Sequence, residues 1–220
     1  MKPKMKIRST RTNLRFDRTT RQPRWRVPLS LRSSVAGQPV RQSFQMHELL
    51  KSLSGGDRRS VGESNLVASA VLEDPKLIAV LFQGVEASDP VLRMRCADAI
   101  EKVTAKCPDL LVPYKKLILQ RLTKIEQKEV RWHVAPMLAR LPLTESEETA
   151  AVSLLLSYTS DRSSIVKTMS MQALADIALR SHRLLPEITQ HIEELSNIGT
   201  PAMKARGRRL LQSLAKAQHG

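Results

Sequence analysis

A short phrase recurs along this chain, and its spacing constrains the fold more than any single residue does. An apolar residue followed by a basic one leads, two turns later, to a further pair of small or apolar residues. It reads Leu92-Arg93 to Ala99-Ile100, Val130-Arg131 to Met137-Leu138, Val166-Lys167 to Ala173-Leu174, and Met203-Lys204 to Leu210-Leu211. A degenerate first copy runs from Val61-Gly62 to Ala68-Ser69. Successive copies start 31, 38, 36 and 37 residues apart. A period of this length with helical patterning inside it predicts helix pairs stacked into a solenoid. Such an architecture points to binding rather than chemistry, and it leaves the bound partner open.

Composition agrees with thin stacked layers. Hydrophobic residues make up 41 % of the chain and aromatics only 3 %, so the core must be built from Leu, Ala, Val and Ile. The net charge of +15 is unevenly placed. Residues 1–45 carry twelve Lys/Arg against one acid, Asp17, whereas residues 46–220 carry 24 against 20. The basicity therefore belongs mainly to the first segment, and any inference from it to nucleic-acid binding concerns that segment.

Residues 1–45 show no hydrophobic period and hold Pro3, Pro23, Pro28 and Pro39. Such a stretch buries too little apolar surface to offset its ordering entropy, and a disordered basic tail is expected. At Met46 the composition changes sharply and a helical phrase begins: Met46, Leu49, Leu50, Leu53. Three origins for residues 1–45 stay open: a native basic arm, an upstream extension before a true start at Met46, or an artefact. Residues 46–220 are expected to form one repeat domain. The two cysteines, Cys96 and Cys107, lie eleven residues apart near opposite ends of one expected helix. That separates them by roughly 16 Å, too far for a disulfide, and a reducing, cytoplasmic setting is expected. No apolar run approaches the length of a membrane span, and the basic N-terminus lacks the apolar core of a secretory signal.

The punctuation divides residues 46–220 into pairs. Asp74-Pro75, Asp89-Pro90 and Thr200-Pro201 each offer a capping oxygen followed by proline at the first helical position. Thr144 with Glu147 forms a capping box. First helices are predicted over 58–73, 90–106, 128–141, 161–180 and 201–217, and second helices over 75–87, 109–126, 145–159 and 184–197. A leading helix covers 46–54. Pro136 falls inside a first helix and should kink or shorten it.

The run Asp89-Pro90-Val91-Leu92-Arg93, then Cys96-Ala97 and Ala99-Ile100, resembles a HEAT repeat. The likeness is best at 89–126 and 161–197, partial at 128–159 and 200–217, and weak at 57–87, where Gly62 replaces the basic residue. It implies an all-α superhelix of about five helix pairs, in the wider armadillo-like class. It also implies a non-enzymatic scaffold that holds a protein partner on the face lined by second helices. No catalytic residue, metal ligand, cofactor or small-molecule substrate comes with it, and no membrane association.

Candidate residues follow from the pattern. Arg93, Arg131, Lys167 and Lys204 share one register position. We expect each to tie its unit to the previous one through an acid or a free carbonyl, with Asp89 and Asp161 as partners; a ladder of anion-binding groups is the rival reading. Lys116, Gln120 and Lys124 step by four along a predicted second helix, with Lys115 and Arg121 beside them. These five are the candidate partner-binding strip, opposite an apolar stripe. His191 and Glu194 have the spacing of a ligand pair, but no third ligand accompanies them. His133, beside Trp132 on a first helix, is expected to be packed or exposed rather than catalytic. The alternative function is contact with nucleic-acid phosphates through residues 1–45.

Overall fold

The computed structural model describes residues 48–218, and all the described regular structure is helical. The predicted tail over 1–45 lies outside the described residues. The α-helices are α1 (Glu48–Leu53), α2 (Ser64–Glu73), α3 (Ile78–Val85), α4 (Pro90–Lys106), α5 (Lys115–Gln120), α6 (Lys128–Arg140), α7 (Glu145–Tyr158), α8 (Ser164–Ala178), α9 (Leu185–Ile198) and α10 (Pro201–Gln218). Helices α2–α3, α4–α5, α6–α7 and α8–α9 form four consecutive pairs. α10 is the first helix of a fifth unit, and α1 leads the stack.

The first helices form the spine. α2 packs on α4, α4 on α6, α6 on α8 and α8 on α10. Small side chains permit this approach: Cys96, Ala97 and Ala99 on α4, Ala135 and Ala139 on α6, and Ala173, Ala175 and Ala178 on α8 are all buried. Each second helix then lies against the first helix of the following unit, most closely α3 on α4, α7 on α8 and α9 on α10. Consecutive second helices touch sparsely. Phe82 of α3 stacks on Tyr114 with ring centroids 3.9 Å apart, and the Tyr158 hydroxyl of α7 donates to the Thr123 carbonyl at 3.1 Å. One apolar cluster runs from Leu53 to Leu214 through every unit, because each hairpin covers the stripe its neighbour exposes.

The capping signals act as read. The Asp89 carboxylate accepts from the Val91 N–H at 2.9 Å, and Thr144 and Glu147 complete their capping box. Two expectations change. The first helix expected from residue 58 starts only at Ser64, because Gly62 takes a left-handed φ of 54° and residues 54–63 form a loop. The second helix expected over 109–126 is divided into a 3-10 turn (Pro108–Tyr114), α5 and a second 3-10 turn (Leu122–Lys124). Pro113 in the first turn and the departure of Arg121 from helical angles (φ −123°, ψ −53°) account for the breaks. Pro136 sits buried inside α6, which runs through it to Arg140; at 13 residues it is shorter than α4 with 17 and α8 with 15.

The loop at 54–63 is organised by one side chain. Arg95 is 5 % exposed, and its guanidinium donates to the carbonyls of Leu53 (3.0 Å), Gly55 (2.7 Å), Asp57 (3.3 Å) and Ser60 (3.2 Å). Gly56 and Gly62 let the backbone wrap this group: a Cβ on Gly62 would lie 2.8 Å from the Arg95 Cζ. A charge buried with no carboxylate beside it is tolerated because carbonyl dipoles surround it.

Candidate interaction surface

The shared basic position sits one turn into each first helix, which brings its side chain to the loops between units. Arg93 Nε donates to Gln127 Oε1 at 2.8 Å, and an Nη of the same guanidinium donates to the Ala87 carbonyl at 3.1 Å. Gln127 returns a bond to the Pro90 carbonyl at 2.8 Å. Arg131 donates to Asp161 Oδ2 at 2.8 Å and lies 5.2 Å from the Tyr158 ring centroid. Arg93 therefore ties back to the preceding unit through the Ala87 carbonyl, as expected, and also forward through Gln127, whereas the Arg131 tie runs to the following unit. The reason for the forward ties is geometric: the side chain reaches from the N-terminal end of its helix to the loop that opens the next. Asp161 is the predicted acid partner, whereas Asp89 spends its carboxylate capping its own helix. Burial raises the Asp161 carboxyl, but the Ser163 N–H, the Arg131 guanidinium and the nearby Lys167 charge outweigh it and hold the group below its ordinary range.

The five residues of the predicted strip do not share one face. Lys115 turns to the next unit, where Nζ meets Glu147 Oε2 at 2.6 Å and the Pro142 carbonyl at 3.0 Å. Lys116 is exposed on α5. Gln120, Arg121 and Lys124 come together around a cavity of about 390 Å³, with Arg121 Nε 2.7 Å from Glu86 Oε1. The break after Gln120 removes the step-of-four geometry that an unbroken helix would give.

A wider groove opens beside them. It measures about 1080 Å³ and is lined from three successive units, by Pro90 and Arg93, by Glu126 to Glu129 with Arg131, and by Ser160 to Ile165, with Arg58 of the Arg95-held loop at its rim. A neighbouring cavity of about 680 Å³ adds Arg59 and Trp132. Arg93 borders both this groove and the cavity around Gln120. Glu129 is 4 % exposed, its Oε2 has no hydrogen-bond donor, and its nearest cation is Arg58 at 4.0 Å. The sequence did not signal Glu129 or Arg95 as special. Both are charged residues on faces that become buried only when units stack.

Ser64, Asp98 and His133 also converge, from α2, α4 and α6. The Ser64 hydroxyl donates to the Asp98 carboxylate, Lys102 joins the same oxygen, and His133 Nε2 lies 3.8 Å from Asp98 Oδ1. The serine meets the acid and not the imidazole, and it is fully buried, so the cluster has no activated nucleophile. Burial pushes the His133 pKa down against the pull of Asp98 and Glu101. His191 Nε2 lies 3.0 Å from the Thr159 hydroxyl, and Glu194 accepts from Gln190 at 3.1 Å. Among the described residues, no group of three or more His, Cys, Asp or Glu side chains is placed to hold a metal ion. No described helix is long and apolar enough to cross a membrane.

No family model matches the chain, and no curated protein sequence matches it. Solved structures do. An engineered protein from a structural genomics consortium aligns at 16 % identity with a TM-score of 0.56, covering 77 % of this chain and 78 % of its own. A designed armadillo repeat protein aligns at 18 % identity with a TM-score of 0.51, covering 82 % and 84 %. At such identities the likeness concerns the fold, which is that of an all-α repeat solenoid.

Proposed function

We propose that this chain is a non-enzymatic protein-binding scaffold built from HEAT-type units. The observation that carries the reading is the groove of about 1080 Å³ to which three successive units contribute. Rigid stacking fixes the spacing of those contributions, so an extended partner segment meets a preset row of charged, polar and apolar groups. Exposed Ile165 supplies apolar surface; Arg58, Lys128 and Arg162 supply a polar rim. The strip at Gln120, Arg121 and Lys124, with Lys116 beside it, extends the surface past Arg93. Lys115 contributes by holding α7 in place. Shape and charge complementarity, with no covalent step, are the whole mechanism.

The test is affinity capture with the full chain and with two variants, Lys116→Glu/Lys124→Glu and Arg58→Glu/Lys128→Glu. Proteins that the parent chain retains at high salt and either variant loses support the scaffold and locate its surface. Identical captures from all three chains would remove both surfaces from consideration. The second reading, phosphate contact through residues 1–45, rests on their twelve cations against one acid. It expects a salt-sensitive nucleic acid that disappears when those residues are deleted.

A further inference from the structure

The repeat domain is nearly neutral until its last helix. Residues 46–200 hold 19 Lys/Arg and 20 Asp/Glu, whereas α10 holds Lys204, Arg206, Arg208, Arg209 and Lys216 with no acid at all. The whole positive excess of the domain therefore sits on one helix at one end of the stack.

The packing of α10 sorts these five cations. Met203, Gly207, Leu210 and Leu214 are buried against the preceding unit. Arg206 faces inward and donates to Gln172 Oε1 at 2.6 Å. Lys204, Arg208, Arg209 and Lys216 are exposed, on the arc opposite the buried stripe, roughly 140° wide at 100° per residue. Among the described residues none of these four has an ion-pair or side-chain hydrogen-bond partner. Two acids of the adjacent α9, Glu187 and Glu194, line a cavity with Leu156 of α7 and His191, and the third, Glu193, is exposed and makes no ion pair among the described residues. From Lys204 to Lys216 the face extends roughly 18 Å.

Solvent exposure explains a polar outer face on α10, since no described helix covers it. It does not explain a face of one sign, because a mixture of acids and bases solvates such a face equally well. Four unpartnered cations on a convex helical surface, without an apolar wedge among them, match a polyanion whose charges are closely and regularly spaced. Duplex DNA presents roughly one phosphate charge per 1.7 Å of axis, so about ten lie within the length of this face. We propose that the outer face of α10 is a sequence-independent docking surface for a nucleic-acid backbone. It is separate from the groove assigned above to a protein partner.

The experiment uses the full chain and a fluorescent 24-base-pair duplex, with affinity followed by anisotropy over a range of salt concentrations. One variant changes Lys204, Arg208, Arg209 and Lys216 to Gln. A second, of equal net charge, changes the exposed cations Lys51, Lys76, Lys106 and Arg180 to Gln. The α10 variant is expected to bind roughly tenfold or more weakly at low salt. Its log K against log salt slope should be shallower by about 3–4, at roughly 0.9 per lost phosphate contact. The second variant should stay close to the parent chain. Residues 1–45 are common to all three chains, so the difference in slope belongs to the helix. Absence of duplex binding by the parent chain, equal slopes for parent and α10 variant, or equal losses in both variants each overturn the proposal. So does a loss confined to phosphatidylserine vesicles, which would make the face a membrane contact. Far-ultraviolet circular dichroism verifies that the α10 variant keeps its helix content.

Discussion

Gly207 of α10 lies so close to Ser196 of α9 that a methyl group on the glycine would overlap the serine hydroxyl and stand 2.9 Å from its Cβ. The missing side chain lets the last two helices cross at short range. Gly207→Ala is therefore expected to destabilise the chain by about 1–3 kcal/mol, despite its better helix propensity. Ser196→Gly in the same chain should recover part of the loss, since it removes the overlapping atoms. Urea denaturation of both variants measures this; an unchanged or raised midpoint for Gly207→Ala contradicts the contact.

Arg95 makes a second prediction. Its guanidinium gathers carbonyls from residues 53–60, so Arg95→Leu removes the centre around which that loop is wrapped. A loss of about 2–4 kcal/mol is expected, as for removal of a buried hydrogen-bonded charge. Trypsin should also cut at Arg58 and Arg59 faster than in the parent chain. Equal cleavage rates would mean that the loop holds itself.

The two thiols should differ in reactivity. Cys96 is fully buried beside Gly84, and burial pushes its pKa up to about 12, whereas Cys107 is exposed just past the end of α4. Ellman's reagent at mildly alkaline pH should titrate one thiol rapidly in the folded chain and both after denaturation. Cys107→Ser should abolish the rapid phase. Rapid reaction of two thiols in the native chain would contradict the packing of α4 on α3.

Stability should depend on pH through Asp161. Its folded pKa lies below the unfolded value, so the unfolded chain binds the proton more tightly. The contribution is fully present above the unfolded value of about 4 and is lost as pH falls through the folded one. Thermal melts of the parent chain against Asp161→Asn should differ at neutral pH and converge in acid. A difference that persists below both values would place the effect of the substitution outside titration.

Much of this fold was legible from spacing alone. The recurring apolar-basic phrase located the first helices α4, α6, α8 and α10, while its degenerate copy at Val61-Gly62 fell in the loop before α2. Asp89-Pro90 marked the start of α4 and the Thr144–Glu147 box that of α7, because caps are local chemistry. The division of 109–126 was not legible from its apolar stripe. Leu111, Tyr114, Ile118, Leu122 and Ile125 keep helical steps, while the backbone beneath them changes from 3-10 to α and back. The candidate strip fragmented for that reason: side chains four apart share a face only on an unbroken helix. Arg95 and Glu129 were hidden differently. Their surroundings come from residues more than thirty positions away or from an adjoining unit, and no local pattern encodes such neighbours.

The sparse contacts between successive second helices have a mechanical consequence. The spine of first helices is lined with many alanine-sized side chains and packs closely, whereas the opposite edge is bridged by one ring stack, one tyrosine hydroxyl bond and the Lys115–Glu147 and Arg121–Glu86 ion pairs. A body stiff along one edge and lightly laced along the other bends like a fan, its ribs opening while the pivot keeps its length. Any guest seated against this solenoid would then find a surface whose curvature yields in one direction and hardly at all in the other.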